Sequence, residues 1–160
     1  MKKKLVVDRN SLLKMVLPQP HHRLLFVYDD LMAQGVIAEL CPDPTFITAA
    51  VLPDSQFFIN VEGRASVRMK PGSFVYGCVW QIDEIGLIGL DISVGMPTFV
   101  ERVGRFKRDL GGRHVVAEHF EAKETRPGKG NSSYVAQIVH AAAQYNFPED
   151  YMTELQQWSS

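Results

Sequence analysis

The chain has 160 residues, of which 46% are hydrophobic and 22% charged, with a formal net charge of −1. That length and balance suit one globular domain with a sizeable core. They exclude the basic excess of a nucleic-acid binder, and no stretch approaches the roughly 18 apolar residues of a membrane-spanning helix. Lys2, Lys3 and Lys4 make a basic start, but Asp8, Arg9, Asn10 and Lys14 interrupt the apolar residues that follow. A signal peptide needs an unbroken apolar run of about 7–15 residues, so the cytoplasm is the expected location. Cys41 and Cys78 lie far apart and in no C-x-x-C pair. They read as reduced thiols, with no disulfide framework or zinc site implied.

Residues 1–22 read as an N-terminal extension, and 23–160 as a single domain. Within the extension, Ser11 is a candidate N-cap for a short helix over "NSLLKMVL", which "PQPHH" then stops. "RLLFVY" (23–28) is continuously apolar, as expected of a central strand covered on both faces. Residues 46–60 and 61–69 read as two further strands, "PGS" (71–73) as a turn, and "FVYGCVWQI" (74–82) as a fourth strand. Gly77 inside it marks a bulge or a close backbone approach.

"DEIGLIGLDISVG" (83–95) has the marks of a helix: Asp83 as N-cap, and Gly95 followed by Pro97 as a stop. Ile85, Ile88 and Ile92 form one stripe, and Leu87, Leu90 and Val94 another, the pattern of a buried helix. "TFVERVGRFKRDL" and "RHVVAEHFEA", joined by Gly111–Gly112, read as a hairpin. "TRPGKGNSS" is a loop. A helix follows over "SYVAQIVHAAAQY", with Val135, Ile138, Val139 and Ala142 on one face. A last helix starts at Pro148, with Tyr151, Leu155 and Trp158 inward. Strands come first and helices close the chain, which predicts an α+β fold with a small, barrel-like mixed sheet and flanking and C-terminal helices.

Few local motifs carry chemistry. His21 and His22 are adjacent and cannot share a metal as an i, i+4 pair would. "RPGKGNSS" lacks the spacing of a phosphate-wrapping loop, and no G-x-S-x-G elbow presents a serine. The aromatics of "FVYGCVW" have no basic partners for stacking nucleic-acid bases and read as core. "VYDDLM" places Asp29 and Asp30 at the end of the apolar strand, where loops build either plain turns or pockets.

Taken in order, the segments of residues 23–158 resemble the γ-glutamylcyclotransferase-like family, also called AIG2-like or BtrG-like. "FVYDDLM" stands where the family has a strand ending in tyrosine–glycine–serine. "EGRAS" matches a glycine-x-alanine element, and Val75, Gly77 and Trp80 match a V-x-G-x-x-W strand. "LDISVG" (90–95) corresponds to an acidic motif of leucine–aspartate, two residues, then glutamate–glycine. Tyr134 matches a tyrosine at the head of the penultimate helix. The resemblance implies a pocket formed by Tyr28, Asp29, Asp30, Leu31 and Tyr134. It also implies a reaction in which a γ-glutamyl amine or dipeptide closes to 5-oxoproline and releases an amine. There the substrate amine attacks its own γ-carbonyl once a carboxylate has taken its proton. The resemblance implies no metal and no organic cofactor.

The chain departs from the family in both halves of that chemistry. Asp29 and Asp30 replace the glycine and serine, and Val94 replaces the glutamate. A valine takes no proton. A substrate carboxylate about 4 Å from an aspartate is repelled by roughly 1 kcal/mol in water and about 4 at an effective dielectric of 20. Three readings follow. The pocket persists without cyclotransferase activity and has turned from anions toward an amine or other cation. Alternatively, catalysis survives on a displaced carboxylate, Asp30 or Glu101. Or the chain is a structural or interaction protein, whose oligomeric state is left open.

Overall fold

The computed structural model describes residues 15–160. Its strands are β1 (Met15–Val16), β2 (His22–Val27), β3 (Thr45–Ile59), β4 (Ala65–Asp83), β5 (Val100–Gly104), β6 (Lys107–Asp109), β7 (His114–Val115) and β8 (Glu118–Ala122). Its helices are α1 (Gln34–Leu40), α2 (Glu84–Val94), α3 (Ser132–Ala142) and α4 (Glu149–Gln156), with single 3-10 turns at Asp30–Met32 and Ala143–Tyr145. The eight strands form one mixed sheet in the order β1-β7-β6-β3-β4-β2-β8-β5, curled into a half-barrel. The α+β expectation is met. The helix expected over 10–17 lies mostly outside the described residues, and its end, Met15–Val16, is the edge strand beside β7.

β2 is the central strand its composition predicts. It runs antiparallel to β4 and parallel to β8, and Leu24, Leu25, Phe26 and Val27 are all buried. Continuous apolarity fits a strand covered on both faces.

β3 and β4 form a long hairpin that supports the sheet. Three separate strands were expected over 46–82, with a reversal at 71–73, but β4 runs straight through that segment. Gly72 and Asp54 both have positive φ (80° and 52°), and the Gly72 N–H donates to Asp54 Oδ1 at 3.0 Å. A register shift lies alongside, between Pro53 and Ser55. The Pro-Gly signal therefore marks a bend shared by two paired strands. The true reversal is at 60–64, where buried Asn60 accepts from the N–H groups of Glu62 (3.0 Å) and Arg64 (2.9 Å).

The expected 98–122 hairpin forms in a single register but is split. β5 pairs with β8 and β6 with β7, and the ladder opens between the two pairs. Buried Lys107 sits at the opening. Its ammonium donates to Arg105 O (3.0 Å) and Ala117 O (2.8 Å), two carbonyls beside the gap. Unmade backbone bonds are costly in an interior, and this lysine makes good two of them. Burial pushes its pKa down to about 8.

α2 starts and stops where expected. Asp83 caps it by accepting from the Gly86 N–H, and Gly95 ends it at φ 101°. Its burial differs from the two-sided expectation. Leu87 and Leu90 face the core, but Ile85, Ile88 and Ile92 are 84%, 59% and 70% exposed. α3 is capped by the Asn131 side chain and buries Val135 and Ile138, while α4 buries Tyr151 and Leu155. Trp158 lies past the end of α4, partly buried against Phe58.

The glycine in β4 is a close-approach position. A Cβ at Gly77 would lie 2.1 Å from Val27 O and 2.8 Å from the Phe26 ring. Overpacking of this kind costs about 1–3 kcal/mol, and a backbone oxygen cannot swing aside as a side chain can. Gly77→Ala is expected to lower the unfolding free energy in urea titrations by at least that much, with an earlier midpoint, or to abolish folding. An unchanged midpoint would show that β2 and β4 can separate without cost.

Candidate functional site

β2 ends at Val27, and the chain then turns through 28–33 along one wall of a cavity of about 470 Å³. The turn is built locally. Asp29 Oδ1 accepts from the Leu31 N–H at 3.1 Å, and its carbonyl accepts from the Met32 N–H at 3.1 Å. That is an Asx cap on a 3-10 turn, a role in which aspartate is favoured. Three buried or partly buried side chains then pin the turn to the sheet and to the 3-10 turn at Ala143–Tyr145. Trp80 Nε1 donates to Leu31 O at 3.0 Å, Tyr145 Oη donates to Met32 O at 2.7 Å, and Tyr28 Oη donates to Phe120 O.

Tyr28, Asp29, Asp30, Leu31, Val94 and Tyr134 all line this cavity, so β2, α2 and α3 bring these sequence-identified residues together. Their capabilities differ. The Tyr28 hydroxyl is committed to a backbone carbonyl and holds the wall. Leu31 is buried and contributes shape. Tyr134 stands near both aspartates. Burial first, and their negative charge second, push its phenol well above the usual range, so it remains a neutral hydrogen-bond donor or acceptor. Val94, the last residue of α2, offers an apolar side chain and gives its carbonyl to Arg64 Nη1 at 3.3 Å.

Glu101 does not join them. It is exposed on β5, opposite Glu121, while its neighbour Val100 lines the cavity. Side chains alternate along a strand, so the acid beside Val100 must point away. Asp91 of the "LDISVG" motif is also elsewhere. It accepts from Arg102 Nε at 2.8 Å, and Arg102 in turn reaches Glu118 at 2.9 Å. This aspartate ties α2 to β5.

Sequence reasoning missed Glu62, Arg64 and Asn131, which also line the cavity. Glu62 and Arg64 sit at the reversal between β3 and β4, and Asn131 is the cap of α3. The expected break between residues 60 and 61 was the available signal, but a strand break alone does not say that its turn faces a pocket. The Arg64 guanidinium is occupied: it lies 4.5 Å over the Phe99 ring, contacts Val94 O and approaches Glu62 at 4.0 Å.

The electrostatics of the wall are therefore acidic. Three carboxylates (Asp29, Asp30 and Glu62) face one guanidinium. Burial raises Asp29 to about 7, and the neighbouring Asp30 charge adds to the effect. Asp30 is raised too, chiefly by burial. A carboxyl that holds its proton more tightly when folded than when unfolded stabilises the fold fully below the unfolded pKa, near 3.9. That contribution disappears as pH rises through about 7. Asp29→Asn keeps an oxygen for the Leu31 N–H and cannot ionise. Its stability relative to wild type is expected to grow by about 2–3 kcal/mol between pH 5 and pH 8 in urea titrations. A difference that stays flat with pH would mean that the carboxylate is solvated.

No protein-family model matches the chain, and no curated protein matches it in sequence. Solved structures do. A γ-glutamyl cyclotransferase superposes with a TM-score of 0.77 at 20% identity, covering 84% of this chain and 86% of that one. An uncharacterised protein from Homo sapiens gives 0.77 at 20% identity over 85% and 87%. An AIG2-like protein from Mus musculus gives 0.54 at 20% identity over 67% and 81%. Likeness at this level of identity is evidence of architecture, and the chain has the γ-glutamylcyclotransferase-like fold.

Proposed function

We propose that this chain is a small-ligand pocket protein of the γ-glutamylcyclotransferase-like fold, that it lacks the usual cyclotransferase activity, and that its ligand is a primary amine. One observation carries the reading: three carboxylates and one already occupied guanidinium line the cavity. A protonated amine neutralises such a wall, whereas a γ-glutamyl substrate brings a carboxylate that the wall repels. The volume falls within the usual range of about 300–1,000 Å³ for small-molecule sites. Val94 at the position of the family glutamate supplies no base. The apolar remainder, including Val36, Leu40, Val100 and Phe120, suits the carbon skeleton of an aliphatic amine.

A second reading is supported by Asp29 itself. A carboxyl raised to about 7 is well matched to proton transfer at neutral pH. In that reading Asp29, or Asp30 beside it, replaces the missing glutamate, and 5-oxoproline is released from a γ-glutamyl amine. The exposed Glu101 has no part in it. The structural or interaction reading of the whole chain draws no support from an open, charged cavity.

Two measurements separate these readings. Purified protein is incubated with γ-glutamyl amines and dipeptides, and 5-oxoproline is followed by mass spectrometry. Short aliphatic mono- and diamines are titrated calorimetrically. The expected result is no release above a heat-denatured control, together with amine binding that tightens from pH 5 to pH 8 as Asp29 ionises. Asp29→Asn and Asp30→Asn should weaken that binding by about tenfold or more. Release of 5-oxoproline that disappears in Asp29→Asn would establish the second reading. Neither release nor amine binding would leave the acidic wall without a ligand and overturn the proposal.

A further inference from the structure

β8 turns Phe120 and Ala122 to the cavity. His119 and Glu121 alternate with them and point to the other face of the strand. His119 is fully buried. Its Nε2 lies 2.7 Å from Glu121 Oε2, and Arg105 Nη2 donates to the other oxygen of that carboxylate at 3.0 Å. The carboxylate accepts, so Nε2 carries the ring proton and Nδ1 keeps a lone pair. Nδ1 is buried and has no hydrogen-bond partner among the described residues. Phe26 and Tyr28 of β2 meet the imidazole at 87° and 70°, with centroids 6.5 and 6.4 Å away. Val103 of β5 is its partner in the ladder.

We propose that His119 is an acid-sensitive latch: neutral, it holds β8 in the sheet, and its protonation releases β8 and takes the cavity wall apart. The charged groups that face the ring are Glu121 of its own strand, Arg105 from the connection between β5 and β6, and Lys107 of β6. Lys107 is a cation at and below neutral pH, since its pKa is about 8, and its ammonium already donates to Arg105 O and Ala117 O. β5 offers only Val103. β2 offers Phe26 and Tyr28, whose phenol burial raises well above its ordinary value and whose hydroxyl donates to Phe120 O. With a neutral imidazole, two cations face one carboxylate. A proton on Nδ1 makes three cations and creates a buried N–H with no acceptor. Both are costly in an interior and cheap in water. Burial, helped by Lys107 and Arg105 and opposed by Glu121, accordingly lowers the His119 pKa. An opened strand, whose imidazole returns to about 6.5, binds a proton that the closed sheet refuses. The closed form is therefore favoured in full above that pH and loses ground as pH falls below it. In the sheet order β8 alone joins the edge strand β5 to β2. It also supplies Phe120 and Ala122 to the cavity and Phe120 O to Tyr28, so the latch acts on that wall whatever the cavity holds.

Residue-resolved amide hydrogen exchange of the full chain tests this, with wild type and His119→Gln compared from about pH 7.5 to about pH 5.5. Glutamine keeps a donor for Glu121 and cannot titrate. Asp29 and Asp30, whose ionisation acts with the opposite sign, are common to both proteins. Protection at Glu118–Ala122, corrected for intrinsic exchange, should fall in wild type relative to the variant by about tenfold across that range, the factor set by an opened imidazole near 6.5. In nuclear magnetic resonance spectra the His119 ring nitrogens of the folded wild type should keep the shifts of the neutral Nε2–H tautomer throughout. A folded-state imidazole that titrates near its ordinary pKa overturns the latch. Protection that falls equally in both proteins, or in neither, does the same. If His119→Gln fails to fold, the ring titration decides alone.

Discussion

The site depends on how one turn is held where β2 leaves the sheet. Between Tyr28 and Ala33 the chain gives up its ladder partners, and its carbonyls must find donors elsewhere. Trp80 provides one through its indole N–H and Tyr145 another through its hydroxyl, while Tyr28 reaches across to Phe120 O. Neutral buried hydrogen bonds of this sort contribute about 1 kcal/mol each. Their larger effect is geometric, because they leave the turn one conformation. The Asx cap made by Asp29 closes it from the other side. The acidic wall is thus presented by a backbone anchored in the core, and the Asp29 side chain is held in place by the Leu31 N–H.

In the proposed reading, where Asp29, Asp30 and Val94 stand at the family's glycine, serine and glutamate positions, this anchoring decides what charge the turn presents. Glycine and serine at 29 and 30 would leave backbone amides as the polar groups of the turn, an arrangement suited to anions. Aspartate at both positions reverses the sign. It also spends the Leu31 amide internally, since Asp29 Oδ1 already accepts from it. In the same reading Val94, at the end of α2, lines the cavity with an apolar side chain where the family has a carboxylate. A second carboxylate left at 94 would have raised the cost of ionising either aspartate further. The three positions therefore form one electrostatic unit, and reverting any one alone is a poor guide to what the others do.

Much of this was legible in the residues because the signals were local. Asp83 and Gly95 bracket α2 with a cap and a left-handed stop, and the apolar run at 23–28 permits little except a central strand. What was not legible depended on partners. The Pro-Gly at 71–73 looks the same whether the chain reverses or bends, and Asp54 on the neighbouring strand decides between them. Adjacency suggested Glu101 as a substitute acid, yet strand alternation turns it away and admits Val100. Asp29 was recognised as a pocket residue, but its burial, which raises its pKa, exists only after β2, α3 and the 60–64 reversal have come together. Glu62 and Arg64 were hidden for the same reason.

The two faces of α2 show how one helix can serve two surfaces. Periodicity reveals an apolar residue on both sides but cannot say which side has a neighbour. In the fold, Leu87 and Leu90 pack inward, Asp91 is tied to Arg102, and Val94 closes the cavity. The isoleucines are left outward, and no internal element reaches them among the described residues. Keeping such a stripe in water carries a risk of aggregation that a single charged substitution would remove. A glycine at its midpoint also lowers helix propensity by about 1 kcal/mol relative to alanine. An exposed stripe alone would be a liability, and a central glycine alone a weakness.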